Sequence, residues 1–239
     1  MTLPMTAARF EEQAGRRSEG YWLLSRLFLE LPTPAGLAEL RAALANVKSD
    51  SDLVRDDLLF LRNAVDDAMA VPAGAVAAAV EYTRRFVAMP KGSQEPLPYE
   101  SHVREGCLPG AATENIRALA AQWGYGDVAP ESGSPDHLGA ELRLMALLCH
   151  DERTGWRTGE RALAIESLRR QNRFLDDHLA QWAPDYCAAV AARAENSYVE
   201  AVARITANLV RADVAALAEI FVQVDAPGAD THTPVAIQL

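Results

Sequence analysis

Apolar residues recur along most of this chain at intervals of three and four, the spacing of one face of an α-helix. Phe10, Ala14, Tyr21, Leu24, Phe28 and Leu31 predict a first helix from about Thr6 to Glu30, stopped by Pro32. Thr33 and Pro34 restart the chain as cap and first turn, with Leu37, Leu40, Leu44 and Val47 as the buried stripe. A third helix begins near Asp52, buries Leu58, Leu61, Val65 and Met69, and ends before Pro72. A fourth uses Val76, Val80 and Phe86, with Tyr82 nearby, and ends before Pro90. From Pro90 to Gly110 no period persists and prolines recur, which predicts a long loop.

Ala111 to Trp123 returns to helical spacing through Ile116, Leu119 and Trp123, and Gly124 and Gly126 terminate it. A Gly- and Pro-rich hinge, residues 124–136, then opens into a further helix. Ser134 suits its N-cap, Pro135 its first position and Asp136 its first turn, followed by Leu138, Leu142, Met145 and Cys149 on the buried face. Gly155 and Gly159 bracket a turn, and Leu168, Leu175, Leu179 and Trp182 mark a long helix ending before Pro184. Helical stretches follow at 185–194 and 197–224, then a tail, 225–239, whose composition predicts mobility. No stretch alternates apolar and polar residues as a strand does. The reading is an all-α bundle of about eight to ten helices, a single domain with an N-terminal lobe (6–123), the hinge and a C-terminal lobe (137–224).

Composition narrows the function classes. Apolar residues make up 49% of the chain, enough for a substantial core, and the net charge of −10 argues against a general nucleic-acid binder. Cys107, Cys149 and Cys187 form no C-x-x-C pair, so neither a disulfide framework nor a zinc knuckle is indicated, and a reducing compartment fits. Arg16 and Arg17 precede an apolar run, but Arg26 and Glu30 interrupt it at helical spacing, so it reads as a buried amphipathic helix rather than an export signal. No uncharged stretch reaches membrane-spanning length.

Candidate chemistry gathers at the hinge. His137 and Glu141 are four apart and share one side of a helix, beside Asp136. These residues also read as plain cap chemistry. With His102, His150 or His178 they offer a helical metal- or cofactor-binding enzyme as the alternative, although neither H-E-x-x-H nor paired E-x-x-H is present. Gly124-Tyr125-Gly126 lacks the preceding strand and third glycine of a dinucleotide site, and there is no phosphate loop.

Four stretches, in this order, carry a resemblance: EYTRRF (81–86), EPLPYES (95–101), PDHLGAELRLM (135–145) and FLDDHLAQWAP (174–184). Together they resemble the TorD/DmsD family of redox-enzyme maturation chaperones. Arg85 and His102 stand where that pattern has apolar residues. The resemblance implies a non-enzymatic, cytoplasmic, all-helical chaperone, monomeric or domain-swapped, that binds the twin-arginine signal peptide and body of an apo-molybdopterin oxidoreductase subunit until its cofactor is inserted. It implies no tightly bound cofactor, only transient contact with the molybdenum cofactor or a guanine nucleotide. It places client binding at Pro135, Asp136 and His137, with Glu141, Tyr99, Glu100 and Ser101. Carboxylates at 100, 136 and 141 suit the client's guanidinium groups, and an apolar groove suits the helix that follows them.

Overall fold

The apolar stripes close on a shared core. The computed structural model describes residues 6–45, 47, 52–87 and 97–224. Its helices are α1 (Ala7–Leu29), α2 (Pro34–Leu44), α3 (Asp52–Ala70), α4 (Pro72–Tyr82), α5 (Glu100–Glu105), α6 (Ala111–Gln122), α7 (Leu138–Thr158), α8 (Arg161–Phe174), α9 (Ala180–Ala192) and α10 (Ser197–Val224). A π-helical turn, Thr83–Val87, extends α4, and a second, Leu175–Leu179, joins α8 to α9. Among the described residues there is no strand, only a lone antiparallel bridge between Tyr99 and His137. The all-α bundle expected from the sequence is what forms. The tail beyond Val224 lies outside the described residues.

Several elements begin and end where local chemistry directs. Thr33 Oγ1 accepts the Gly36 N–H at 3.1 Å and Pro34 follows in the first turn of α2. α1 then lies along α7, α3 lies against α10, and α7 and α9 pack on α8 and α10 respectively. Helices from both sides of residues 124–136 therefore share one hydrophobic core. The α1–α7 approach is close because Gly139 presents no side chain to Leu29: a Cβ there would sit 2.6 Å from Leu29 Cγ. Phe10 stacks on Trp156 at 4.8 Å in the same interface.

A polar clasp is buried at the centre of this bundle. Arg17 of α1 pairs with Asp213 of α10 at 2.5 Å and with Glu152 of α7 at 3.0 Å, and donates to Gln171 of α8 at 2.5 Å. Tyr21 donates to Asp213 at 2.8 Å and the Trp156 indole to Glu152 at 3.2 Å. Burial pushes the Glu152 carboxyl upward, with Arg17 opposing. The clasp satisfies charges that would otherwise oppose folding strongly, and it ties four helices together. Of the two adjacent arginines, Arg17 is thus internal, while Arg16 pairs on the surface with Glu12 at 2.7 Å.

The structure corrects several readings of the pattern. Val76 and Val80 are 62% and 64% exposed, and α4 buries Ala75, Ala78 and Tyr82 instead. Nearly every residue of this helix is apolar, so periodicity did not distinguish its faces. Gly155 is not in a turn. It lies within α7 where α8 crosses, with a Cβ there only 2.6 Å from the Ala164 nitrogen, and Gly159 ends the helix in the left-handed region at φ 78°. Pro184 does not stop a helix either, but sits inside α9, shortly after the π-turn has altered the hydrogen-bond register. Val47 and Met69 are only partly buried, and Leu31, just past the end of α1, is exposed.

Candidate client-binding site at the α5–α7 corner

The N-cap of α7 is His137, not Ser134: its extended backbone lets Nδ1 accept the Gly139 N–H at 3.0 Å. Gly133 turns the chain just before, at φ 75°. Asp136 consequently lies outside α7 and serves another helix. Its main-chain oxygen accepts the Glu100 N–H at 2.9 Å, while Oδ2 accepts the Ser101 N–H at 3.1 Å and the Ser101 hydroxyl at 2.5 Å. The Ser134 hydroxyl donates to Oδ1. Leu138 N–H to Pro98 O, 2.8 Å, completes the join. Residues 100–105, expected within a loop, thereby form α5, because its first donors are satisfied by a carboxylate distant in sequence.

Electrostatics follow from this burial. Desolvation alone would raise the Asp136 carboxyl, but the Ser101 and Ser134 hydroxyls and the Ser101 N–H together hold it below the ordinary range. Burial pushes His137 down to about 4, with Asp136 opposing only in part. With Nδ1 accepting, the His137 proton resides on Nε2, and the ring meets Tyr99 edge-on at 4.9 Å. Glu141, in the first turn of α7, receives the Trp182 indole N–H at 3.2 and 3.3 Å. Burial and then the charge of Glu100 push its carboxyl well up, favouring the neutral form.

Glu100 faces the other way as well. Its Oε2 lies 2.8 Å from His178 Nδ1, and Oε1 receives Arg104. These groups border a cavity of about 600 Å3 between α5, α6 and the second π-turn, walled also by Asp177, Asn115 and Leu119. Glu105, at the cavity edge, accepts the first N–H groups of α6, from Ala111 at 2.7 Å and Ala112 at 2.9 Å.

The sequence-derived candidates are therefore neighbours. Glu100, Ser101, Asp136, His137 and Glu141 are buried, and Tyr99 and Pro135 are half-buried. Of these, Glu100 lines the cavity. Arg104, Asp177 and His178 were not singled out as client-binding residues. Their sequence signals were the i,i+4 spacing of Glu100 to Arg104 and of Arg173 to Asp177, and the Asp-Asp-His run of residues 176–178. The three histidines named as metal candidates do not converge on His137 and Glu141: His102 Nδ1 accepts the Leu97 N–H at 2.9 Å, His150 is exposed, and His178 belongs to Glu100. Among the described residues no group of three or more His, Cys, Asp or Glu side chains is placed to hold a metal ion.

A known family matches this corner with its surroundings. The family described as nitrate reductase delta subunit matches residues 33–188, from the cap of α2 into α9 and more than half of the chain. The chain belongs to the nitrate reductase delta subunit family. Its members are chaperones of molybdoenzyme maturation rather than catalysts, and they take in the TorD type that the sequence resembles. No curated protein matches the chain. The matched region of this delta-family chain holds every residue of the corner, whereas α1 and α10, which supply Arg17 and Asp213 to the clasp, lie outside it. Arg85 has a local role: buried at the first π-turn, it donates to the Arg193 main-chain oxygen and lies 3.6 Å from Glu81.

Proposed function

We propose that this chain is a cytoplasmic chaperone that binds the twin-arginine signal peptide of an apo-molybdopterin oxidoreductase subunit and holds that subunit until the molybdenum cofactor is inserted. Family membership supports the client class. The observation that carries the peptide reading is the cavity beside α5, which is large enough for a side chain of arginine size and has the buried Glu100 carboxylate in its wall. A guanidinium group is the natural partner of a fixed carboxylate, and the net charge of −10 favours approach of a cationic leader. Asp136, Ser101 and His137 act on this site by holding α5 against the start of α7. Among the described residues no helix is long and apolar enough to cross a membrane, consistent with a chaperone that meets its client before export.

The test is affinity purification of tagged protein from cells grown under anaerobic respiration, with mass spectrometry of co-purifying chains. The expected result is one molybdopterin oxidoreductase precursor with its leader intact, depleted when Asp136→Ala and His137→Ala are combined. Recovery of no such precursor, from a wild-type chain shown to be folded by circular dichroism, refutes the proposal.

A further inference from the structure

The cavity that the proposed function assigns to client arginines already contains arginines of the chain itself. Two of its bordering carboxylates each hold a guanidinium from four residues away: Glu100 pairs with Arg104, and Asp177 pairs with Arg173 at 3.4 Å. The pairs are adjacent, since the Arg104 nitrogen that meets Glu100 also lies 3.2 Å from the Asp177 main-chain oxygen. They differ in depth. Glu100 is wholly buried and anchored from behind by His178, whereas the Arg104 and Arg173 side chains are 40% and 55% exposed. The acid at the base is fixed, and both arginines have an open path to water.

The Arg173–Asp177 pair, about half exposed on both sides, is weak, because it competes with solvent and with its own side-chain freedom. Lone burial of Glu100 would be far more costly, so the free protein needs a cation near that carboxylate. On the walls, α6 contributes Asn115, whose amide suits additional hydrogen bonds, and Leu119, which suits the aliphatic stem of an arginine.

We propose that Arg104 and Arg173 are built-in stand-ins for the client, occupying Glu100 and Asp177 in the free protein and yielding them to two consecutive arginines of a bound signal peptide. This rests on the twin-arginine reading above and names the groups that receive the arginines. Exchange keeps the carboxylates paired in both states. Recognition then depends on what the incoming peptide adds: a second guanidinium tethered to the first, and the apolar segment after it.

The experiment uses a fluorescent synthetic twin-arginine leader peptide and its twin-lysine version, titrated against the full chain. Removing a competitor should strengthen binding. Arg173→Ala is expected to tighten the twin-arginine peptide about twofold, the ratio for losing a weak exposed i,i+4 pair; Arg104→Ala is expected to tighten it at least as much, because the buried Glu100 then finds its guanidinium only in the peptide, and the double variant more than either. Glu100→Gln is expected to weaken it by about tenfold or more, and the twin-lysine peptide should bind wild type weakly. A misfolded variant does not gain affinity, so the arginine variants test the idea independently of any stability loss at Glu100. If wild type binds the peptide but the arginine variants bind it no more tightly, the stand-in proposal is overturned and the chaperone reading stands. If wild type binds neither peptide, both fall.

Discussion

His137 ties the start of α7 to acid stability. In the folded chain its ring is buried and its Nδ1 is committed to the Gly139 N–H, so burial holds its protonation near pH 4 against an ordinary value of 6.5. Between those values the unfolded chain carries a proton at this position that the folded chain does not, and stability must therefore fall as pH is lowered. At about 1.4 kcal/mol per pH unit, a drop from 6.5 to 5 removes about 2 kcal/mol, and the full interval removes about 3 kcal/mol. Asn at position 137 keeps an acceptor for the helix cap but does not titrate. Urea unfolding of wild type and His137→Asn, followed by circular dichroism at pH 7, 6 and 5, isolates the effect. Glu141 contributes with the opposite sign, since its raised carboxyl makes stability fall as pH rises above the ordinary carboxylate range. That contribution is common to both proteins and drops out of the difference. Wild type should lose about 2 kcal/mol relative to the variant between pH 7 and 5. Parallel pH profiles would refute the assignment of a buried, neutral His137.

Three further outcomes follow from named contacts. Asp136→Ala leaves the Ser101 N–H and hydroxyl without their acceptor and should lower stability by about 2–4 kcal/mol, with faster amide exchange confined first to α5; exchange unchanged at Ser101 would contradict the cross-chain cap. Gly155→Ala forces α7 and α8 apart, and a loss of about 1–3 kcal/mol is expected in thermal unfolding; a neutral result would mean that the crossing is looser than the structure shows. Arg17→Met strands Asp213 and Glu152 and should lower stability by about 3–5 kcal/mol, with partial recovery when Asp213→Asn is added; additive losses in the double variant would show that Arg17 and Asp213 are not energetically coupled.

What depends only on neighbours along the chain could be read from the order of the amino acids. Thr33 and Pro34 start α2, and the three-and-four spacing of Phe10, Tyr21, Leu24 and Phe28 marks the buried face of α1, because a helix has a fixed period and fixed demands at its ends. The pairing of the 95–101 and 135–145 stretches was legible as a resemblance, and Tyr99 and Ser101 of the first meet Asp136 and His137 of the second at one corner. The rest depends on how the helices pack. Ser134 and His137 are both able to cap a helix, and the choice fell to His137 once Asp136 was drawn to the bare donors of α5. No local pattern announces a partner so distant in sequence. Val76 and Val80 look like core, yet face outward because Ala75 and Ala78 permit closer packing on the other side. Arg17 beside Arg16, and His178 in its Asp-Asp-His run, are polar residues whose meaning lies in what they meet: a buried charge is tolerated only where opposite charges and hydrogen bonds converge on it, and convergence is a property of the packed helices.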